Sequence, residues 1–362
     1  MEIFQKKVLF LCRQIEELKM MTKHKGLLAV VVAVALFIAI AVCWGFMLAL
    51  APNFKIQKTV YVYVDEAKDF SALCAQLDST AHCRHLSSFK QLASLMHYPS
   101  KMHTGRYAVR AGMSNLKLLN DLRGGHQAVV KLSFNNIRTN KDLADCLSKQ
   151  LMPSEEEFMR LFNDSVYCDS LGFTPATIGA LFIPNTYEVY WNISARKLMN
   201  RMKKEYTAFW NGTRLNKARE IGFTPVEIST LASIVEEETA AYDEYSLVAG
   251  VYINRIHTGM PLQADPTIKF ALGDFSLRRI LFEHLQVDSP YNTYKNVGLP
   301  PGPIRIPTIR GIDAVLNYVH HNYLYMCAKE DFSGRHNYAA TMNEHVKNAA
   351  RYREELNRRG IQ

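Results

Sequence analysis

A run of 25 residues without a charged side chain, residues 27–51, constrains this 362-residue chain more than any other feature. A helix of about 20 apolar residues is long enough to cross the hydrocarbon core of a bilayer. Six Lys or Arg residues and three Glu residues precede the run. Because basic residues cluster on the cytoplasmic side, we predict a cytoplasmic tail over residues 1–26 and a transmembrane anchor over residues 27–51. The rest of the chain would lie outside the cytoplasm.

A cleaved signal peptide is the alternative for the same segment, because Ala49, Leu50 and Ala51 resemble a cleavage site. The apolar run is longer than the core of a signal peptide, and a long tail precedes it. Pro52 would also follow the cut directly. These features favour the uncleaved anchor.

The balance of charge is basic, with a net charge of +9, of which the tail contributes +3. The exported part therefore carries about +6, which suits an acidic polymer or a membrane surface, with scattered solvated charge as the alternative. No stretch combines dense Lys and Arg with spaced aromatic residues. We therefore expect no nucleic acid partner.

The cysteines and histidines give no sign of a metal site. The exported part holds five of the seven cysteines, an odd number, and the chain contains neither C-x-x-C nor H-E-x-x-H. We expect no metal, no cofactor and no disulfide framework. Cys74 could pair with Cys83, but it lies on an apolar helical face, which favours a buried free thiol.

Residues 56–127 have the pattern of a small α+β module. Strand-like segments at residues 59–64 and 105–109 enclose two short helical segments, and a further helix begins after Ser114. Gly124 and Gly125 end that helix and mark the best domain boundary.

Residues 128–362 form a second, larger α+β domain in this interpretation. It contains long loops at residues 260–267 and 289–307, and long ordered loops usually have a function. A strand is predicted at residues 129–134. Helices are predicted at residues 140–151, 195–210, 225–238, 247–256 and 343–359.

The helix at residues 225–238 has a clear start. Thr224 is an N-cap residue, Pro225 suits the first helical position, and Glu227 completes a capping box. The tetrapeptide Gly-Phe-Thr-Pro before it also occurs at residues 172–175. We predict the same kind of helix start at both places.

Glu238 continues the apolar face of that helix. Leu231, Ile234, Val235 and Glu238 follow the spacing of one helical face, whereas the two glutamates before Glu238 point elsewhere. Burial raises the pKa of a carboxyl group, and a protonated carboxylic acid is what acid-catalysed cleavage of a glycosidic bond requires. The alternative is that Glu238 is an ordinary glutamate at the helix end, beyond the last residue of the apolar face.

Four stretches of the second domain form a recognisable series. They are Ala-Ser-Ile-Val-Glu-Glu-Glu-Thr at 232–239, Val-Tyr-Ile-Asn-Arg at 251–255 with Gly-Met-Pro-Leu-Gln-Ala-Asp-Pro-Thr at 259–267, Ser-Pro-Tyr-Asn-Thr-Tyr at 289–294 with Gly-Leu-Pro-Pro-Gly-Pro-Ile at 298–304, and Asn-Tyr-Leu-Tyr at 322–325 with Gly334, His336, Glu344 and His345. Their order and spacing resemble the endolytic murein transglycosylase family of bacteria, also called YceG-like. Phe270, where the family commonly has Tyr, and Ile306-Pro-Thr308 depart from its pattern.

This resemblance implies a function and a place in the cell. The family cleaves peptidoglycan glycan strands between N-acetylmuramic acid and N-acetylglucosamine as a lyase, leaving 1,6-anhydro ends. Its acid is the glutamate directly before Thr or Ser, which is Glu238 here. The resemblance also implies a LysM-like module at residues 56–127. It further implies a single-pass protein of the bacterial inner membrane, with cell-wall synthases as possible partners.

Candidate substrate contacts lie in the loops of this second domain. Gln263 and Asp265 precede a stiffening proline. Asp265 either orients the sugar or a loop amide, or it caps a helix that begins at Pro266. The candidates are Gln263, Asp265, Thr267, Tyr291, Asn292, Tyr294 and His336.

The two tyrosines and His336 also have structural alternatives. Asn292 and Tyr294 could bind acetamido groups, and Tyr291 or Tyr294 could stack on a sugar, with core packing as the usual role of a Tyr. His336 either contacts the substrate or satisfies a loop. Two other functions stay open: a muramidase-type hydrolase with Asp265 as second carboxylate, and a non-catalytic scaffold that binds glycan and recruits synthases.

Overall fold

The structure, a computed structural model, describes residues 2–360, with side chains at residues 13, 14, 16 and 27–360. Most side chains of the predicted tail, and residues 361–362 at the end of the predicted second domain, lie outside the described residues. The chain divides into two compact units, Met1–Ala128 and Val129–Gln362.

The first unit begins with a long helix, α1, which spans Glu2–Ala49. Its segment Leu27–Ala49 has a mean hydropathy of 3.0, and most of its apolar side chains are exposed. It is therefore long and apolar enough to cross a membrane, as an anchor or as a signal sequence. The helix ends two residues before the predicted limit of the span.

The rest of the first unit is a βααβ arrangement followed by a helix. Strands β1 (Val60–Val64) and β2 (Gly105–Val109) pair antiparallel, with Val62 opposite Tyr107. Both of these side chains are fully buried in the core of the unit. The predicted order of elements is confirmed, and the LysM-like identity of the module stays a prediction. The helices are α2 (Phe70–Ser79), α3 (Leu86–Leu95) and α4 (Asn115–Gly124).

Two buried asparagines tie the end of α1 to this module. Asn53 donates a hydrogen bond from Nδ2 to Oδ1 of Asn115 at 2.8 Å, and Asn115 donates to the backbone carbonyl of Leu48 at 2.9 Å. Both amides therefore find partners in the core. Cys74 and Cys83 are buried nearby as free thiols.

The second unit is a mainly helical α+β fold. Its described residues include two small antiparallel sheets of two strands each, β3–β4 and β5–β6. The predicted α+β class is confirmed. The strands are β3 (Val129–Leu132), β4 (Tyr187–Tyr190), β5 (Tyr325–Ala328) and β6 (His336–Ala339). The helices are α5 (Asn140–Ser148), α6 (Glu155–Asn163), α7 (Ser165–Ser170), α8 (Ala195–Phe209), α9 (Gly212–Ile221), α10 (Pro225–Glu238), α11 (Tyr245–His257), α12 (Asp265–Leu272), α13 (Ile309–Leu316) and α14 (Met342–Arg358).

Helix α10 is the central helix of this unit. It begins with the predicted capping box, which is confirmed, and it contacts α9, α11, α12 and α13. Every residue from Ile228 to Glu236 is buried, so the helix is covered on more than the face that Leu231, Ile234 and Val235 form. The buried polar side chains have hydrogen-bond partners, because Ser229 and Ser233 donate to carbonyls of the preceding turn.

The second predicted helix start, at residues 172–175, does not open an α-helix. The backbone N–H of Thr174 donates to the hydroxyl of Thr177 at 2.7 Å, and only a short 3₁₀ helix, Ile178–Leu181, follows. Thr177 stands where Glu227 completes the capping box of α10, but the N–H of Thr177 donates to the backbone carbonyl of Thr174 at 3.0 Å, a bond between residues three apart that is typical of a 3₁₀ turn.

Candidate active site

The three glutamates at the end of α10 point to three different environments. Glu236 accepts hydrogen bonds from the backbone and the hydroxyl of Thr308, the N-cap residue of α13. Glu237 pairs with Arg138 at 3.0 Å and with Arg305 at 2.8 Å. Glu238 alone faces α11, where the hydroxyl of Tyr252 donates to its Oε2 at 3.0 Å.

Glu236 has a structural role at the N-terminus of α13. Its side chain is almost fully buried, and the guanidinium of Arg305 lies 3.5 Å away. Burial raises its pKa, whereas the Thr308 hydrogen bonds and the charge of Arg305 lower it. A carboxylate at this place also interacts favourably with the helix dipole.

Gly311 provides the space that Glu236 occupies, so Gly311→Ala should destabilise the protein. A Cβ at this position would overlap Oε1 of Glu236, which Thr308 holds in place. We expect a loss of about 1–3 kcal/mol in the free energy of unfolding, because overpacking forces side chains from their rotamers. Gly212→Ala is the matched control, since a Cβ there meets open space. Equal melting temperatures for the two variants would contradict the prediction.

Glu238 combines burial with a neutral hydrogen-bond donor. Burial raises the pKa of Glu238; the Tyr252 hydrogen bond and the nearby charges of His336 and Arg255 lower it, and Asp265 raises it. Tyr252 is itself fully buried, and burial followed by the charge of Glu238 raises its pKa well above 10. Tyr252 therefore keeps its proton and holds the carboxyl group in one orientation.

A second carboxylate, Asp265, lies across from this pair. It is the first residue of α12, and it accepts a hydrogen bond from the Tyr294 hydroxyl at 2.5 Å. Burial and this bond raise the pKa of Tyr294, so the phenol remains the donor. The N-cap residue of α12 is Ala264, so the alternative in which Asp265 caps a helix beginning at Pro266 is wrong.

His336 is held by a buried carboxylate on the other side of the site. Its backbone N–H donates to Oε1 of Glu244 at 3.1 Å, and its Nδ1 lies 3.1 Å from Oε2. The hydroxyl of Thr239, the residue after Glu238, also donates to Glu244. Glu244 thus connects the end of α10 to strand β6 and fixes the imidazole ring.

Arg255 joins the helix α11 to the surrounding loops. Its guanidinium donates to the carbonyl of Leu262 at 2.6 Å and to that of Leu324 at 2.6 Å. Tyr252 and Arg255 are three residues apart and therefore lie on the same face of α11. This arginine is buried, and its positive charge lies close enough to lower the pKa of Glu238.

Two predicted substrate contacts are instead supports of the loops. Thr267 is fully buried and shares hydrogen bonds with Ala264 and Thr293. Asn292 is also fully buried, and its side chain binds three backbone groups of its own loop. Direct contact of either side chain with a sugar does not fit this burial.

Gln263 and Tyr291 stay accessible. Gln263 is exposed and has a positive φ of 51°, which is uncommon for a residue other than glycine and often marks a functional loop. Tyr291 is partly buried against Phe270, with ring centroids 4.7 Å apart. It lines a cavity of about 120 Å³, together with Arg138 and Arg305.

Tyr252, Arg255 and Glu244 were not among the residues predicted for the site. The first two lie in one of the stretches that carry the family resemblance, and their helical spacing on one face of α11 could have identified them. Glu244 could only be found from the tertiary structure. Among the described residues, no group of three or more His, Cys, Asp or Glu side chains is placed to hold a metal ion.

Tyr252→Phe should shift the pH dependence of any reaction in which Glu238 is the acid. The hydrogen bond from Tyr252 favours the charged carboxylate, so its loss should raise the pKa of Glu238 further. An acid with a raised pKa is protonated below that pKa and loses its proton as the pH rises through it. The alkaline limb of the rate profile should therefore move to higher pH. Tyr245→Phe, at the start of α11, is the control, and an unmoved limb in Tyr252→Phe would contradict this assignment.

A half-buried carboxylic acid at a helix end, surrounded by polar loops, is a site suited to proton transfer to a polar substrate. The sequence profile of the YceG-like family matches residues 62–351. The chain therefore belongs to the YceG-like family.

Curated relatives agree with this assignment. The endolytic murein transglycosylase of Bacillus subtilis (strain 168) is 40% identical over 126 residues, which are 35% of this chain and 34% of the relative. That of Streptococcus pneumoniae (strain D39) is 24% identical over 330 residues, 82% of this chain and 59% of the relative. The matched part of the chain thus covers less than two thirds of the length of either relative.

A solved structure is similar in fold. The crystal structure of a yceG-like protein from Listeria monocytogenes superposes with a TM-score of 0.52 at 24% identity, over 81% of this chain and 99% of that chain.

Proposed function

We propose that this protein is an endolytic lytic transglycosylase, a carbon–oxygen lyase that cleaves glycan strands of peptidoglycan with Glu238 as its acid. The observation that carries the proposal is the contrast among the three glutamates of α10. Glu236 and Glu237 are committed to Thr308, Arg138 and Arg305, whereas the hydrogen-bond donor that Glu238 has among the described residues is the neutral hydroxyl of Tyr252. Burial raises the pKa of Glu238, and no ion pair within the described part of the chain holds it ionised.

One carboxyl group is sufficient for this reaction. Protonated Glu238 gives its proton to the glycosidic oxygen as the bond between that oxygen and the anomeric carbon breaks. The 6-hydroxyl of the same muramyl sugar attacks the anomeric carbon, and the ionised Glu238 takes the proton of this hydroxyl. No water is consumed, and the carboxyl group returns to its protonated form. The nucleophile belongs to the substrate, so its effective concentration is already high.

The surrounding polar groups suit the charge that develops in this reaction. The transition state of glycoside cleavage is oxocarbenium-like, and the carboxylates of Glu238 and Asp265 are the negative charges nearest to Tyr252 and Tyr294. We propose that Gln263, Asp265, Tyr291, Tyr294 and His336 contact the sugars. Tyr252, Glu244 and Arg255 position these groups.

The hydrolytic alternative is less well supported. A second catalytic carboxylate would have to activate water, and one of the two oxygens of Asp265 already accepts the hydrogen bond from Tyr294. A scaffold without activity would have no need for a half-buried acid whose hydrogen-bond donor, Tyr252, is neutral and whose pKa is raised.

We further propose that the apolar segment of α1 anchors the protein in the bacterial inner membrane, with its N-terminus in the cytoplasm. The catalytic unit would then act outside the cytoplasm on newly made strands. Cell-wall synthases remain possible partners of the anchored protein.

The test is digestion of purified glycan strands by the full-length protein in detergent micelles, followed by mass spectrometry. We expect internal cleavage with 1,6-anhydro ends, which are lighter by one water than reducing ends. Reducing ends would favour the hydrolase instead, and intact strands would favour the scaffold.

A further inference from the structure

A cavity of about 730 Å³ opens beside Asp265, between helix α14 and residues 278–280. Three arginines line it: Arg278 and Arg279 from the loop after α12, and Arg353 from α14. Its volume lies within the usual range of ligand sites, roughly 300–1,000 Å³. Tyr352 and Leu356 supply the apolar part of its wall.

The three arginines carry uncompensated positive charge. Within the part of the chain that the structure describes, no carboxylate lies within ion-pair distance of any of them, and the one hydrogen bond of Arg353 goes to the carbonyl of Ala349. Clustered arginines without acidic partners repel one another, so they are more stable when an anion binds between them.

Three acidic groups, in the loop after α12, in α14 and at the end of the cavity, are committed to other partners. Asp274 accepts hydrogen bonds from the backbone and hydroxyl of Ser276. Glu355 pairs with the arginines at positions 358 and 359 of its own helix. Asp265 binds Tyr294 at the end of the cavity. The cavity therefore has three arginines on one side and reaches the candidate active site at Asp265 on the other.

Asp265 connects the cavity to the proposed acid, Glu238. Asp265 is close enough to Glu238 to raise its pKa. A muramyl sugar at Glu238 would carry its lactyl group, and the peptide stem attached to it, away from the scissile bond. Such stems end in carboxylates, which the planar guanidinium fork of arginine binds in bidentate geometry.

We propose that this cavity is a subsite for the carboxylates of the peptide stem, with Arg278 and Arg279 as its main ligands. The subsite rests on the proposed function, and it extends that function to the choice of substrate. A concave site that reaches Asp265 fits a branch of the substrate better than the flat surface of a bilayer. The protein would thus cleave strands that still carry their stems in preference to bare strands.

The experiment compares two substrates, glycan strands with intact stems and strands whose stems an amidase has removed. Full-length protein in neutral detergent should cleave the first with a kcat/KM about tenfold higher, as expected for a few partly exposed charge-assisted contacts. In the double variant Arg278→Gln, Arg279→Gln the preference should disappear, while the rate on bare strands stays unchanged. Arg219→Gln, on the exposed face of α9, is the matched control and should behave like the unchanged protein.

Three results would overturn the subsite. The unchanged protein could show no preference for stems, the double variant could lose activity equally on both substrates, or it could differ only after anionic phosphatidylglycerol is added to the micelles. The last result would indicate a lipid headgroup as the ligand.

A binding measurement separates this proposal from the proposed function. Fluorescence anisotropy with a labelled stem tetrapeptide should detect binding to the unchanged protein and weaker binding to the double variant. The tetrapeptide with amidated carboxyl groups should bind weakly to both. If no strand is cleaved but this binding pattern is found, the proposed function is contradicted and the proposed subsite is supported. Equal binding of both peptides would remove the subsite.

Discussion

Glu238→Gln should reduce strand cleavage by roughly a hundred- to ten-thousandfold, the usual contribution of general acid–base catalysis. Glutamine has nearly the same shape, and its amide oxygen can still accept the hydrogen bond from Tyr252. It cannot donate a proton to the glycosidic oxygen or take one from the 6-hydroxyl. The loss should therefore appear in kcat, with substrate binding retained.

The fold of this variant should be at least as stable as that of the unchanged protein. Burial raises the pKa of Glu238, so the charged form is disfavoured where it stands, and a neutral amide removes that cost. Circular dichroism and the melting temperature check this point. Loss of activity together with loss of structure would leave the catalytic assignment without support.

Glu237→Gln is the matched control, because it changes the neighbouring carboxylate in the same way. Glu237 binds Arg138 and Arg305 and does not face α11, so we expect activity within a few-fold of the unchanged protein. If Glu237→Gln were as inactive as Glu238→Gln, or if Glu238→Gln kept full activity, the acid would lie elsewhere.

Local signals in the sequence predicted some of the helices that begin with a complete capping box, such as α10, but not α6, whose box is formed by Ser154 and Glu157. Helix α10 begins at Pro225 as expected, because Thr224 and Glu227 satisfy each other's backbone groups. The same tetrapeptide at residues 172–175 leads into a turn, because the N–H of Thr177 donates to the backbone carbonyl of Thr174 and not to its hydroxyl. A cap motif is therefore informative only with the residue three positions later.

Elements in the proline-rich part of the second unit were harder to predict. Helix α13 has an N-cap at Thr308 and apolar residues at helical spacing, but the prolines before it favoured a loop interpretation. Strands β5 and β6 have four residues each and pair across a loop, so they are too short for an alternating pattern of apolar and polar residues to identify them. Such strands form because the tertiary structure supports them.

The candidate site also has one part that local sequence patterns predict and another that depends on tertiary packing. The orientation of Glu238 away from its two neighbours follows from the period of a helix, and the structure has it so. The burial of Thr267 and Asn292, and the contact of Glu244 with His336, depend on how distant loops pack together. Spacing along the chain contains no information about such contacts without homologous sequences.

The largest effect on stability should come from Arg305→Met. The guanidinium of Arg305 lies between Glu236 and Glu237, at 3.5 Å and 2.8 Å, and also donates to Asn136 at 2.9 Å. The side chain of Glu236 is only 2% exposed. Removing one partner of a buried ion pair leaves an uncompensated charge and typically costs about 3–5 kcal/mol. Calorimetry should detect a clear fall in melting temperature.

Arg214→Met is the matched control for this change. Arg214 pairs with Asp313 in the same unit, at 2.9 Å, but both side chains are more exposed, at 28% and 40%. Water and salt screen such a pair, so its loss should cost at most about 1 kcal/mol. Equal destabilisation by the two variants would mean that the burial of Glu236 is not the cause.

The pH dependence of Arg305→Met gives a second, independent test. The pKa of Glu236 is already raised by burial, and the loss of the arginine charge should raise it further. A carboxyl group with a folded-state pKa above its unfolded value binds more protons when folded, so stability falls as the pH rises through that window. The destabilisation should therefore be largest at alkaline pH and should shrink as the solution is acidified. Adding Glu236→Gln should restore much of the stability at high pH, because the amide can still accept the hydrogen bonds from Thr308. A deficit that is independent of pH, and that Glu236→Gln leaves unchanged, would place the effect in packing instead of charge.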